Sequence, residues 1–121
     1  MGRYGWDIIL RRAVIAEDAS VSSVITVPKH ALGMTIISPD SAVGVNWKLQ
    51  SLSPTTPEDT ETWTDAYVFD PSVGVVQYSF PFVSNQALSF GAIGFGGANL
   101  RISTYADTQT SSIVWQVMFN V

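Results

Sequence analysis

Few side chains in this chain could do chemistry, and they do not gather into a known reactive pattern. The segment Gly91-Ala92-Ile93-Gly94-Phe95-Gly96-Gly97 is rich in glycine. A phosphate cradle of that composition needs a following Lys-Ser/Thr, or a Gly-x-Gly-x-x-Gly turn between a strand and a helix. It has neither the lysine nor a helical pattern after it, so its glycines are read as serving tight turns and close backbone approach. Glu58, Asp59, Glu61, Asp65 and Asp70 supply oxygens of the kind Ca²⁺ takes, six to eight at a time. They lack EF-hand spacing, and Trp63 and Val68 interrupt them, so a solvated acidic loop is the expected reading. His30, the single histidine, follows Pro28-Lys29 in a turn. A serine triad would need it beside an activated serine, and no Gly-x-Ser-x-Gly elbow occurs. The ten acids leave two-carboxylate glycoside chemistry as a formal option, but a sandwich this small offers little cleft. The expectation is a protein that is not an enzyme, with no catalytic residues, no cofactor and no metal.

Composition points the same way. The chain has 121 residues, of which 46% are apolar, 12% aromatic and only 13% charged. The charged share is about half the roughly 25% usual in soluble domains. With no cysteine there are no disulfides, thiolate metal sites or thiol nucleophiles, which fits folding inside a cell. The net charge of -4 argues against broad electrostatic binding to nucleic acid. Within residues 1–12, Arg3, Arg11 and Arg12 stand against Asp7, a local balance of 3 − 1 = +2, so the remainder carries -6. A basic arm on an acidic body is the resulting picture. No secretory pattern is present, because Asp7 and Arg11-Arg12 interrupt the run Ile8-Ile9-Leu10. No apolar stretch approaches the ~18 residues of a membrane span. The expectation is synthesis in the cytoplasm and no membrane partner.

The elements that would position these residues are strands. Short β-branched and aromatic runs recur between clusters of Pro, Gly, Asn, Asp and Ser, the pattern of an all-β sandwich or barrel. Strands are predicted over 8–15, 21–27, 33–38, 44–52, 63–69, 73–80, 87–90, 100–105 and 113–121. Helical periodicity is absent. In the second strand Val21, Ile25 and Val27 should face inward, with Ser22 and Thr26 outward; in the fourth Val45, Trp47 and Leu49 face inward. In the last, Trp115, Val117, Phe119 and Val121 form a wholly apolar face opposite a mixed one, as in a strand central to a sandwich or covered by a partner. The fold class is therefore all-β, an antiparallel jelly-roll-like sandwich of about eight or nine strands. Residues 1–12 form an N-terminal arm or first-strand extension, and 13–121 one sandwich domain.

The aromatics divide between core and contact. Trp47 and Trp115 lie at inward positions. Trp6, at the terminus, and Tyr78, Phe80 and Phe82, around the proline-broken segment Tyr78-Ser79-Phe80-Pro81-Phe82, are the candidate interface anchors, with Arg11 and Arg12 as rim charges.

From Ala13 onward the chain resembles a group of small β-sandwich virion proteins of tailed bacteriophages. Glu17-Asp18-Ala19-Ser20-Val21-Ser22-Ser23-Val24-Ile25 matches an opening strand of the type acid/small-Ala-Ser-x-Ser-x-x-Ile/Val. Leu32-Gly33-Met34-Thr35-Ile36-Ile37-Ser38-Pro39, Val45-Asn46-Trp47-Lys48-Leu49-Gln50 and Leu100-Arg101-Ile102-Ser103 match later strands. The chain departs from the group at Ser51-Leu52-Ser53-Pro54-Thr55-Thr56-Pro57, where a Ser-x-Asp-Gly-Thr hairpin is common. The resemblance implies a virion structural role, above all a capsid decoration (cement) protein on the capsid exterior. It would bind the major capsid protein or other virion proteins as a homo-oligomer, a dimer or trimer. A head–tail connector or tail component, and a carbohydrate- or receptor-binding module, are the alternatives. With residues 1–12 as the docking arm, deleting 2–12 should abolish docking and leave the sandwich folded.

Overall fold

The computed structural model describes residues 7–52, 63–70, 75–77, 79–90 and 99–121. Trp6, Tyr78, the glycine-rich segment 91–97 and the acids Glu58, Asp59 and Glu61 lie outside the described residues.

Among the described residues eleven strands run β1 Ile8–Ile15, β2 Ile25–Thr26, β3 Gly33–Ile37, β4 Asn46–Leu52, β5 Trp63–Asp65, β6 Val68–Asp70, β7 Val75–Gln77, β8 Ser79–Pro81, β9 Ala87–Phe90, β10 Asn99–Ser103 and β11 Ile113–Asn120. Four build one antiparallel sheet in the order β1-β11-β3-β9, and five build a second, β2-β10-β4-β5 with β8 also on β4. The short pair β6-β7 forms a separate hairpin.

The pairing has a mirror logic. β1 pairs β11, β2 pairs β10, β3 pairs β9 and β4 pairs β8, each antiparallel. The chain is thus one long hairpin rolled so that successive strands alternate between two sheets, which is the jelly roll. β5 and β8 share one edge of β4: Asp65 stands opposite Gln50, Ala66 N–H bonds Leu49 O at 2.9 Å, and Ser79 stands opposite Lys48. The β6-β7 pair lies off that edge.

The core lies between the sheets because each strand alternates. β11 is buried at Ile113, Trp115, Val117 and Phe119 and turns the others outward. Trp47 of the second sheet touches Phe80 with ring centroids 4.8 Å apart and reaches across to Trp115 of the first at 4.9 Å. Phe80 meets Phe90 at 5.6 Å, and Phe82 sits edge-on to Trp115 at 5.9 Å. These tilted and edge-on arrangements are the ones favoured by the ring quadrupole.

Several sequence expectations need correction. Ser22 is buried, not outward: its Oγ accepts the Ile102 N–H at 2.9 Å and donates to Ser23 O at 2.8 Å. The strand expected over 21–27 is reduced to a bridge between Val21 and Ser103 followed by the two-residue β2, and Val24 turns outward. Val45 is 76% exposed because β4 begins only at Asn46, after the bend at Gly44. The expected strand over 63–69 is split into β5 and β6, and that over 73–80 into β7 and β8.

Candidate functional site

The described ones among the sequence-derived contact residues, Arg11, Arg12, Phe80 and Phe82, separate in the fold. Arg11 and Arg12 are both exposed on β1. Phe80 is 1% exposed, so its expected role as a surface anchor is corrected: β8 pairs with β4 and turns Phe80 inward against Trp47. Phe82 is half-buried against the same core rather than displayed. Trp47 and Trp115 are buried, as their inward positions require.

Residues 8–12 are not a free arm. They occupy five of the eight rungs of the β1–β11 ladder, from Ile8 opposite Asn120 to Arg12 opposite Gln116. The +2 balance of the first dozen residues therefore includes two arginines fixed on an edge strand.

The two outer faces of the sandwich differ sharply in chemistry. On the β1-β11-β3-β9 sheet, one row across the strands reads Leu10, Met118, Thr35, Ser89, and the next reads Arg12, Gln116, Ile37, Ala87. Val14 and Val114 stand side by side beyond them. Ile8 is 60% and Leu10 61% exposed, and Arg12 is the one charge in these rows. Polar groups here satisfy each other, as in the 2.9 Å contact between the Thr35 and Ser89 hydroxyls. The face combines exposed aliphatic side chains with a few uncharged polar ones and is sparsely charged.

The outer face of the second sheet is a linked polar lattice. Lys48 Nζ lies 2.8 Å from an Asp65 oxygen and 4.7 Å from the Tyr105 ring centroid. Gln50 Nε2 donates to Asp65 at 3.4 Å, while Gln50 Oε1 accepts from Arg101 Nε at 2.8 Å. The Arg101 guanidinium stacks on the Trp63 ring at 4.3 Å, and Tyr105 Oη donates to Ser79 Oγ at 2.6 Å. The hydrogen bond from Lys48 holds the Asp65 carboxyl below its ordinary value of 3.8; partial burial opposes this, and the Gln50 bond adds to it. Each cation therefore already has a carboxylate, amide or ring as its neighbour.

One end of the sandwich is tied by a residue that carried no sequence signal. Gln109 is 2% exposed; its Oε1 accepts the Val43 N–H at 2.8 Å, and its Nε2 donates to Val43 O at 3.0 Å and Thr104 Oγ1 at 3.2 Å. Its backbone bonds Ala19 O and Asp18 N–H, at 2.9 and 2.8 Å. It clips three loops together. A lone glutamine among threonines and serines has no periodicity to mark it. His30 is exposed in its turn, and among the described residues no group of three or more His, Cys, Asp or Glu could hold a metal ion.

Topology and core define the class: an all-β jelly-roll sandwich. No protein-family model matches the chain, and no curated protein matches it. Among solved structures it is similar to the SPBc2 prophage-derived protein YomS, with TM-score 0.59 and 12% identity over 95% of this chain and 96% of that one. It also matches the Drosophila melanogaster CENP-C cupin domain at TM-score 0.34 and 7% identity, over 99% of this chain and 65% of that one, a likeness too remote to argue from.

Proposed function

We propose that this chain is a structural protein of a bacteriophage virion, a capsid decoration (cement) protein that binds the assembled major capsid protein shell from outside and stabilises it. The observation that carries the reading is the contrast between the outer faces. One is a polar lattice with its charges already engaged; the other exposes Ile8, Leu10, Val14 and Val114 with Arg12 as its charged group. An apolar patch of this kind marks a surface that another protein covers. The fold shared with a protein of prophage origin supports the viral setting.

The mechanism is thermodynamic. A ligand that binds the assembled shell and not its dissociated subunits stabilises the shell by mass action. The docking element in this reading is the β1-β11-β3-β9 face, with Arg12 as an orienting charge, in place of a detached arm.

The test is co-sedimentation with purified expanded capsids of the encoding phage. Saturable binding and a raised capsid melting temperature are expected. Ala87→Glu combined with Val114→Glu should weaken binding by about tenfold or more, since each buries a charge against an apolar partner, while the variant's own circular dichroism is unchanged. Absence of saturable binding to capsids would refute the reading. A stoichiometry fixed by one ring per virion would favour a connector.

A further inference from the structure

We propose that β1 joins a second copy of this chain edge to edge, in a two-fold register centred on Ile9, giving a symmetric dimer. Among the described residues, β1 is the outermost strand of its sheet. Val14 N–H bonds Ser23 Oγ at 3.1 Å and Val14 O accepts the Ser23 N–H at 2.9 Å, both on the side away from β11. Even-numbered residues of β1 therefore aim their backbone groups at the open edge, because these directions alternate along a strand. Ser23 closes that edge at its Arg12–Val14 end, where its hydroxyl also approaches Arg12 O at 3.5 Å. The Ile8 and Leu10 backbone groups lie beyond the reach of that cap. Among the described residues, the Leu10 carbonyl is met by the adjacent Arg11 Nη1 at 3.0 Å, an exposed and readily exchanged contact.

An open edge, even one this short, is a template for strand addition. Antiparallel pairing about Ile9 sets Ile8 against the partner's Leu10 and Leu10 against the partner's Ile8, both with backbone groups aimed correctly to exchange main-chain bonds. Ile9 faces its own copy on the dyad. Asp7 comes opposite the partner's Arg11, and Arg11 opposite the partner's Asp7, so two exposed residues of opposite charge meet twice. The neighbouring register, centred on Leu10, forfeits these pairs and drives Arg12 and the Ser23 cap toward the partner. The one centred on Arg11 sets the arginines against each other. Charge and parity together select a second copy of this chain as the occupant, and one register for it.

The product is a continuous sheet of two four-stranded halves, with Ile8 and Leu10 of both copies forming one apolar cluster on the outer face. The contact is short compared with a standard interface, so the dimer depends on concentration. The inference stands apart from the capsid reading, since it concerns the purified protein alone.

Sedimentation equilibrium of the full chain from micromolar to near-millimolar concentration tests it. The wild type should dimerise, and Asp7→Arg and Arg11→Asp, each placing like charges opposite each other, should each weaken dimerisation by about tenfold. The double variant Asp7→Arg/Arg11→Asp should restore it, and hydrogen exchange at the Ile8 and Leu10 amides should slow as dimer forms. A wild type monomeric throughout, or a dimer indifferent to the single variants or unrecovered in the double, overturns the proposal. Capsid co-sedimentation is scored separately, so failure of one leaves the other readable.

Discussion

Gly44 adopts φ of +115°, a region L side chains rarely enter, and a Cβ there would lie 2.8 Å from the Asp107 carboxylate oxygen. Both the backbone and the space demand glycine, at the bend that delivers the chain into β4 and sets Trp47 in the core. Gly44→Ala is therefore expected to destabilise the fold by about 1–3 kcal/mol, read as a lower denaturant midpoint at unchanged slope. At this scale the sequence was partly legible. Inward aromatics such as Trp47 and Trp115 announce themselves by alternation. Ser22 and Gln109 do not, because a buried polar side chain is justified only by partners far along the chain, here Ile102 for Ser22 and Val43 and Thr104 for Gln109. Phe80 misleads for a related reason: a proline beside it suggests a surface strand end, yet Pro81 closes an edge strand whose Phe80 still points inward.

At the scale of elements, two strands kept their predicted places, β1 at Ile8–Ile15 and β9 at Ala87–Phe90, although neither alternates strictly in sequence, whereas the alternating run 21–27 survives only as a bridge and the two-residue β2. Boundaries failed where a strand is interrupted by tertiary demands, as between β5 and β6, where the chain leaves the β4 edge. Pairing order carries no local signal, so the rolled-hairpin topology was visible only as a class. The change of most consequence concerns β1. Since Ile8–Arg12 hold five of the eight rungs with β11, deleting residues 2–12 strips the edge of the sheet. It also removes Ile9, which packs against the core, and leaves part of β11 as a new unpaired edge. The expected outcome is a fall in melting temperature of about 10 °C or more, or aggregation, rather than a folded protein that has merely lost a docking arm. Calorimetry of the truncated and full chains side by side checks this, and an unchanged transition would show that the rungs contribute little.

For the whole molecule, the low charge content that marks the sequence is not spread evenly. Lys48 and Arg101 are drawn into the lattice on one outer face, where Asp65, Gln50, Trp63 and Tyr105 engage them, and the opposite face is left nearly without charge. That distribution predicts the thermodynamic character of docking as well as its location. Contact through the β1-β11-β3-β9 face removes apolar surface from water, so titration calorimetry on capsids should show a distinctly negative heat-capacity change. The affinity should change little as salt is raised from low to about 0.5 M, because screening acts on few charges there. Docking through the polar lattice would behave oppositely: it would have to break the Lys48–Asp65 pair and the Arg101–Gln50 bond, and its affinity would fall with salt. A steep salt dependence with a small heat-capacity change would therefore place the contact on the other sheet. The pair of measurements decides between the faces without a single substitution, so no destabilised variant complicates the answer.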